Sequence, residues 1–131
     1  SKLVDAQITD SIVCEGTILK SCSILHCVLG VRSRIESDSV LEDTLVMGAD
    51  FFESPEERIE LRKGGGIPLG VGEGSTVKRA ILDKNTRIGN KVVIVNKDRI
   101  EEADRPDEGF YIRNGIVVVV KNATITDGTI I

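Results

Sequence analysis

Aromatic residues are almost absent from this sequence, which has three Phe, one Tyr and no Trp among 131 residues. Ile and Val supply the apolar content instead, with 16 and 15 copies. Because β-branched side chains fit pleated strands better than helices, this composition favours a core of short strands. No apolar run approaches the ~18 residues of a membrane span, and the longest, "IVVVV" at 116–120, has the length of a strand. We therefore predict no membrane association.

A basic excess and a cysteine framework are also missing. The chain has 17 Lys and Arg against 21 Asp and Glu, and its formal net charge of −4 argues against nucleic acid as a partner. Its three cysteines are odd in number and lack CxxC spacing, so they indicate neither a disulfide framework nor a zinc site. We expect Cys14, Cys22 and Cys27 to be reduced, half-buried thiols.

The aliphatic residues recur every six positions, with single-residue slips at 24–29 and 77–82. These anchors are Ile12, Ile18, Ile24, Leu29, Ile35, Leu41, Met47, Val71, Val77, Leu82, Ile88, Ile94, Ile100, Val119, Ile125 and Ile131. A helix requires spacings of three and four, and an ordinary strand requires two. Four residues after an anchor stands a small or medium side chain, at Cys22, Val28, Ser33, Ser39, Ser75, Thr86, Val92, Ala123 and Thr129. One bulky and one small inward residue per hexad predict a narrow three-sided parallel β-helix, with three hexads in each coil.

Six glycines fall between the anchors, where we expect corners that need a permissive backbone. They are Gly16, Gly30, Gly48, Gly72, Gly74 and Gly89. The alternative fold is an antiparallel β-sandwich, which predicts a period of two and many tight hairpin turns. Only Asn114-Gly115 and Asp127-Gly128 have the sequence of such turns, so the β-helix is favoured.

Two segments interrupt the period. Residues 49–70 contain a helix start, because Ser54 can cap, Pro55 suits the first helical position and Glu57 completes a capping box. The run Gly64–Gly66 then ends the helix. Residues 97–115 are charged and contain Pro106, so we predict a loop that leaves the prism. Insertions of this kind lie outside a solenoid and can protect an open end or edge.

Residues typical of catalysis are few. The run "GGGIPLGVGEG" (64–74) lacks the GK[ST] ending of a phosphate loop, and a strand follows it where a helix would be needed. His26 is the only histidine, and hexapeptide-repeat acyltransferases use a histidine as general base. No carboxylate stands near it in sequence, so a solvent-facing residue is the favoured interpretation. The acidic stretch 98–108 alternates with arginines and is read as a solvated surface.

The remaining candidates are cations. Lys84 and Arg87 lie on one short turn, and Lys121 follows the apolar strand at 116–120. The charged loop separates Lys84 from Lys121, but removing it leaves about one coil between them, so the two lysines could stack on one face. A phosphate or carboxylate would join two such charges. By spacing alone, two exposed lysines in water remain the preferred alternative.

Four blocks carry a resemblance to a known family: "LVMGADFFE", "GIPLGVGEGSTVKRAILDKNTRIG", "EEADRPDEGFYIRNGI" and "VVVKNATITDGTII". They resemble the carboxy-terminal domain of ADP-glucose pyrophosphorylase (glucose-1-phosphate adenylyltransferase), essentially end to end. The block "EADRPDEGFYIR" is most similar to the large, regulation-biased subunit of the plant enzyme. The predicted fold class is accordingly all-β, a left-handed parallel β-helix of hexapeptide repeats with one short helical insertion.

The resemblance implies a role in starch or glycogen synthesis. The family's enzyme makes ADP-glucose and pyrophosphate from ATP and glucose 1-phosphate, using Mg²⁺, in an amino-terminal nucleotidyltransferase domain. The glycine-rich nucleotide loop and sugar-phosphate lysine of that domain find no match in these 131 residues. We therefore expect residues 1–131 to form one regulatory and assembly domain that has no catalytic residue, binds no cofactor and is inactive alone.

The resemblance also implies partners and a site. The plant enzymes are heterotetramers of large and small subunits. They are activated by 3-phosphoglycerate, and inorganic phosphate opposes that activation. Their activator lysines match Lys84 in "DKNTRIG" and Lys121 in "VVVKNATITDG". The implied location is the plastid stroma of a chloroplast or amyloplast, with the cytosol as the alternative. Two other hypotheses are a free-standing acyltransferase that uses His26 as base and a purely structural solenoid.

Overall fold

The computed structural model describes residues 2–131, which form eighteen strands and one α-helix. The strands are β1 (Lys2–Val4), β2 (Gln7–Thr9), β3 (Ile12–Val13), β4 (Ile18–Lys20), β5 (Ser23–Leu25), β6 (Val28–Leu29), β7 (Arg34–Ile35), β8 (Val40–Glu42), β9 (Leu45–Val46), β10 (Gly70–Val71), β11 (Thr76–Lys78), β12 (Ala80–Leu82), β13 (Arg87–Ile88), β14 (Val93–Ile94), β15 (Glu102–Arg105), β16 (Phe110–Arg113), β17 (Ile116–Val119) and β18 (Thr124–Ile125). Helix α1 spans Pro55–Lys63. Within residues 2–131, no helix is both long and apolar enough to cross a membrane.

Three sheets form the sides of a prism, and consecutive strands pass from one sheet to the next. Sheet A has the order β1-β4-β7-β10-β13-β18, sheet B has β14-β11-β8-β5-β2, and sheet C has β15-β16-β17-β12-β9-β6-β3. All pairs are parallel except β15 with β16 and β16 with β17. In a parallel β-helix every coil pairs with the coil above and below it, so the prediction of a β-helix is confirmed.

Each regular coil is slightly shorter than the three full hexads predicted. The register shows this, because Ile18 pairs with Arg34 and Val28 pairs with Leu45. The corner between sheets B and C is short, so successive inward residues across it are five apart, as at Ile24 and Leu29. The slips noticed in the sequence at 24–29 and 77–82 are two of these short corners.

Aliphatic side chains fill the interior of the prism in a ladder. Its fully or nearly buried members are Leu19, Ile24, Leu29, Ile35, Leu41, Val46, Val71, Val77, Leu82, Ile88, Ile94, Val119, Ile125 and Ile131. Two residues before most of them stands a small buried side chain, among them Thr17, Cys22, Cys27, Ser33, Ser39, Thr44, Ser75, Ala80, Thr86, Val92 and Val117. The bulky and small pair per hexad is therefore confirmed for most coils.

Four inward assignments were wrong. Ile12 is 62% exposed and Met47 is 42% exposed, while their neighbours Val13 and Val46 pack against the core. At the third position, Leu19 and not Ile18 points into the prism. At the fourth, Val28 was expected to be a small inward residue but points outward. A strict period of six overlooks the short corners, and one missed residue exchanges the two faces of a strand.

Corners are turned by one residue at positive φ, and most of these residues are not glycine. Fourteen non-glycine residues lie there, among them Asp38 (φ 64°), Asn85 (φ 60°) and Asn122 (φ 64°). The expectation for glycine holds at Gly16, Gly48 and Gly74. It is wrong at Gly30, Gly72 and Gly89, where the reason is close approach of the next coil. A Cβ on Gly30 would lie 2.3 Å from the carbonyl oxygen of Met47.

The first insertion contains the predicted helix. Ser54 Oγ accepts from the amide of Glu57 at 3.1 Å, and the Glu57 carboxylate accepts from the amide of Ser54 at 2.9 Å. This is the capping box expected from the sequence, with Pro55 at the first position and Gly64 as C-cap. None of the residues of α1 is buried, so apolar packing does not hold the helix in place.

The insertion as a whole is attached to sheet A by buried apolar residues, Ala49, Ile67 and Leu69, and by a network of charged side chains. The Glu53 carboxylate, 4% exposed, accepts from Arg58 at 3.2 Å, from Arg87 at 2.7 Å and from the amide of Leu69 at 2.7 Å. Arg58 also lies 3.6 Å from Glu36. Burial raises the pKa of Glu36, but a hydrogen bond from Arg34 and three neighbouring cations lower it more, so its net pKa lies below the ordinary value.

The second insertion corrects the prediction of a loop at 97–115. Strand β15 pairs antiparallel with β16, and β16 pairs antiparallel with β17, so the segment extends sheet C. Asn114 and Gly115, both at positive φ, make the hairpin turn. Phe110 and Ile112 are buried against the core, while β15 presents charged residues at the sheet edge. The hairpin therefore protects an edge, as expected for an insertion in a solenoid.

Candidate functional site

Lys84 and Lys121 occupy the same corner of the prism on adjacent coils. Each lysine precedes an asparagine at positive φ, and the amide of Asn122 donates to the carbonyl oxygen of Lys84 at 2.9 Å. Adjacent strands in a sheet are about 4.8 Å apart, so the two side chains leave the backbone about one coil apart. Sequence spacing allowed the two lysines to stack on one face, and the structure places them on adjacent coils. Their effector role remains a prediction.

Asp50 lies on the opposite side of Lys84, on the preceding coil. Its Oδ1 accepts from Lys84 Nζ at 2.9 Å, and its Oδ2 accepts from Asn85 Nδ2 at 3.0 Å. Its amide donates to Asn85 Oδ1 at 2.9 Å. Hydrogen bonds from Lys84 and Asn85, with a weaker contribution from the charge of Lys121, hold the pKa of the Asp50 carboxyl below its ordinary value. The corner therefore contains two ammonium groups and a carboxylate.

The other cation of the turn, Arg87, faces the insertion and not the corner. Its Nη1 donates to Glu53 at 2.7 Å and to the carbonyl oxygen of Ile67 at 2.9 Å. Its side chain is 25% exposed, against 44% for Lys84. Both hydrogen bonds stabilise the attachment of the insertion, so Arg87 has a structural role and Lys84 is the more exposed of the two cations.

A cleft of about 480 Å³ lies between α1 and sheet A. Arg58, Arg62 and Lys63 line it, but each is already near a carboxylate. Arg62, for example, donates to Asp127 at 2.8 Å. Since its cations are paired, the cleft is a weaker candidate for anion binding than the lysine corner, where Lys121 makes no ion pair within the described part of the chain.

His26 is solvent-facing, as predicted, but it is not isolated from carboxylates. Its Nε2 lies 3.4 Å from Asp10 and its Nδ1 lies 3.4 Å from Asp43, on the coils before and after it. A general base needs one ring nitrogen directed at the substrate. Because a carboxylate faces each nitrogen here, the arrangement disfavours the acyltransferase hypothesis. The sequence interpretation missed both carboxylates because each stands a full coil away from His26 along the chain.

A comparison with protein families matches the chain to the GLGC left-handed parallel beta-helix domain, over residues 1–130. The chain belongs to this family. GLGC β-helix domains are the carboxy-terminal domains of ADP-glucose pyrophosphorylase, a nucleotidyltransferase. The match also supports the left-handed class of β-helix that the resemblance implied.

In this GLGC β-helix domain, sequence reasoning predicted the two lysines as a site and missed the groups beside them. Asp50 and Asn85 were not predicted as part of the corner, because Asp50 is distant from Lys84 in the chain and begins an insertion. Reading "MGADFFES" as the coil preceding "DKNTRIG" would have placed Asp50 near Lys84. Among residues 2–131, no cluster of three His, Cys, Asp or Glu side chains is arranged to hold a metal ion.

The cysteines of the domain are free thiols. Cys22 and Cys27 are buried, whereas Cys14 is partly exposed, so the expected half-burial holds only for Cys14. Burial raises the pKa of the Cys22 and Cys27 thiols, which keeps them protonated and unreactive. The two thiols fill small inward positions of the prism.

Proposed function

We propose that this chain is the regulatory and subunit-assembly domain of an ADP-glucose pyrophosphorylase, and that Lys84 and Lys121 bind its anionic effector. The effector class is a phosphorylated three-carbon acid, such as 3-phosphoglycerate, with inorganic phosphate as its competitor. The observation that carries the proposal is the stacking of the two lysines at one corner, with Asn122 bonded to the backbone of Lys84. Two lysines on adjacent coils suit a phosphate, whose oxygens accept charge-assisted hydrogen bonds from both ammonium groups.

The mechanism in this proposal is a shift of population. An effector that binds the lysine corner more tightly in the active arrangement of the enzyme favours that arrangement by the difference in binding free energy. The chemistry on ATP, Mg²⁺ and glucose 1-phosphate belongs to a separate catalytic domain, so this domain alone is inactive. Its partners are that domain and the other subunits of a heterotetramer.

The block "EADRPDEGFYIR" supports a finer assignment. We infer that the domain belongs to a large subunit of the plant type, located in the plastid stroma. In the fold, this block forms the hairpin β15–β16, whose turn and edge carry exposed charges. An exposed charged hairpin is a surface on which subunits can differ without loss of the shared core.

A titration tests the effector proposal directly. The chain, Lys84→Ala, Lys121→Ala and the double variant are titrated with inorganic phosphate and with 3-phosphoglycerate in a calorimeter at fixed ionic strength. Each single substitution should weaken binding at least about fivefold, because it removes one of two charge-assisted contacts. Lys91→Ala is the matched control, since Lys91 is exposed at a different corner.

Activity of the complete enzyme gives the second readout. In it, Lys84→Ala or Lys121→Ala should raise the activator concentration needed for half-maximal stimulation and leave unactivated turnover unchanged. Equal activation of both variants and the parent would refute the assignment. Lys91→Ala should leave anion binding unchanged. If it weakened binding as much as Lys84→Ala and Lys121→Ala do, the loss of affinity would reflect net charge and not a specific site.

A further inference from the structure

The donors of the lysine corner are already engaged by a carboxylate of the chain. Asp50 presents one oxygen to the ammonium of Lys84 at 2.9 Å and the other to the side-chain amide of Asn85 at 3.0 Å. A carboxylate or phosphate ligand would use the same donors in the same way, with one oxygen on each. Asp50 therefore occupies the position of a bound anion.

The direction of this contact matters for the proposed site. Asp50 is on the coil before Lys84, and Lys121 is on the coil after it. Pairing with Asp50 thus holds the Lys84 ammonium on the side of the preceding coil. An anion that joins the two lysines has to attract Lys84 in the opposite direction.

The contact can also be broken without unfolding the corner. The side chains of Lys84 and Asp50 are 44% and 49% exposed, so both have rotamers in solvent. The amide of Asp50 remains bonded to Asn85 Oδ1 whichever rotamer its carboxylate adopts, because that bond is made by the backbone. Exchange of the carboxylate for an external anion consequently costs one exposed ion pair and the hydrogen bond from Asn85 Nδ2, but leaves the hydrogen bond of the Asp50 amide intact.

We propose that Asp50 is an internal competitor for the effector, which binds by displacing the Asp50 carboxylate from Lys84. This inference rests on the proposed function of the lysine corner. It makes Asp50 a determinant of specificity, since the displaced carboxylate stays near the site and repels a doubly charged phosphate more strongly than a singly charged acid. Removing the Asp50 charge should tighten binding of either anion and increase the preference for the doubly charged one.

The test is an NMR titration of the whole chain with inorganic phosphate and, separately, with acetate. Both titrations are made at fixed ionic strength and at a pH of about 7.5, where phosphate is mostly doubly charged. Asp50→Asn and Asp50→Ala should lower the dissociation constant for phosphate about two- to fivefold, which corresponds to the loss of one competing exposed ion pair. The preference for phosphate over acetate should rise in both variants. Asp38→Asn is the matched control, because Asp38 is exposed at another corner with φ 64°, which Asn also tolerates.

The outcomes separate this inference from the proposed function. If Lys84→Ala and Lys121→Ala abolish phosphate binding but both Asp50 variants bind like the parent, Asp50 is not a competitor and the effector site stands. If Asp38→Asn tightens binding as much as Asp50→Asn, the effect is one of net charge and the inference is refuted. If neither the parent nor any variant binds phosphate, both proposals are refuted together.

Discussion

Replacing Arg87 by Ala should destabilise the chain far more than replacing Lys84, although both cations stand in the same short motif. Arg87 Nη1 donates to the carboxylate of Glu53 at 2.7 Å and to the carbonyl oxygen of Ile67 at 2.9 Å. The Glu53 side chain is 4% exposed, so the substitution removes a cation from a carboxylate that water scarcely reaches. Lys84, by contrast, loses only an exposed pair with Asp50.

The expected magnitudes follow from this burial. Removing one partner of a fully buried ion pair costs about 3–5 kcal/mol. Arg87 is a quarter exposed, and Glu53 keeps its hydrogen bonds from Arg58 and from the amide of Leu69, so we expect about 2–3 kcal/mol. Loss of the pair at Lys84 should cost much less, because water solvates both partners once they separate.

Urea unfolding followed by circular dichroism measures both costs. With a slope of about 2 kcal/mol per molar urea, Arg87→Ala should lower the midpoint by about 1–1.5 M, and Lys84→Ala by less than about 0.5 M. Glu53→Gln and the double variant complete a double-mutant cycle, which isolates the Arg87–Glu53 coupling. We expect that coupling to exceed about 1 kcal/mol, as for groups in one network.

Equal midpoints for Arg87→Ala and Lys84→Ala would refute this reasoning. So would a coupling near zero between Arg87 and Glu53, because the insertion would then be held by something other than the charged network. The hydrogen exchange of the Leu69 amide gives an independent check, since its acceptor is Glu53. Arg87→Ala should accelerate that exchange more than Lys84→Ala.

Three further predictions concern the fold. Leu41→Ala, at a fully buried ladder position, should lower the free energy of unfolding measured in urea by about 2–5 kcal/mol. Met47→Ala should lower it by less than about 1 kcal/mol, because Met47 points outward. Similar losses for the two variants would contradict the assigned register. Gly30→Ala should prevent cooperative folding as judged by circular dichroism, while Gly64→Ala, whose Cβ would meet nothing closer than 3.7 Å, should fold normally. Glu36→Gln should lower the thermal midpoint at neutral pH, since the low pKa of Glu36 adds stability above about pH 4, and the difference should vanish as pH falls through the depressed folded-state pKa.

Much of the architecture follows from the repeat, but its exact phase does not. A bulky residue and a small residue per hexad define two inward positions, so the prism and most of its ladder could be predicted from spacing alone. The errors at Ile18 and Met47 arise at corners where one residue is omitted. The length of a corner depends on the backbone conformation of the one residue that has a positive φ. In this chain Asp, Asn, Arg, Lys and His adopt that conformation as well as Gly, so residue type does not reveal where a corner lies.

The hairpin at 97–115 was missed for a related reason. Its charged strand β15 lies at a sheet edge, where charge prevents further pairing and conceals the alternation by which strands are recognised. Asn114-Gly115 was a hairpin signal, and Phe110 and Ile112 were the alternating apolar residues beside it. These signals predict a strand only if a neighbouring strand is there to pair with it, and the local sequence does not identify that neighbour.

The sequence by itself determined the repeat, the capped helix and the identity of the two lysines, because each is encoded in residues close together in the chain. Tertiary structure alone decided what surrounds those lysines. Stacking places residues that are distant in sequence on neighbouring coils, so Asp50, Lys84 and Lys121 meet at one corner. The same stacking places Arg87 against Glu53 of the insertion, and two cations that look equivalent in "DKNTRIG" therefore have different partners, burial and expected roles.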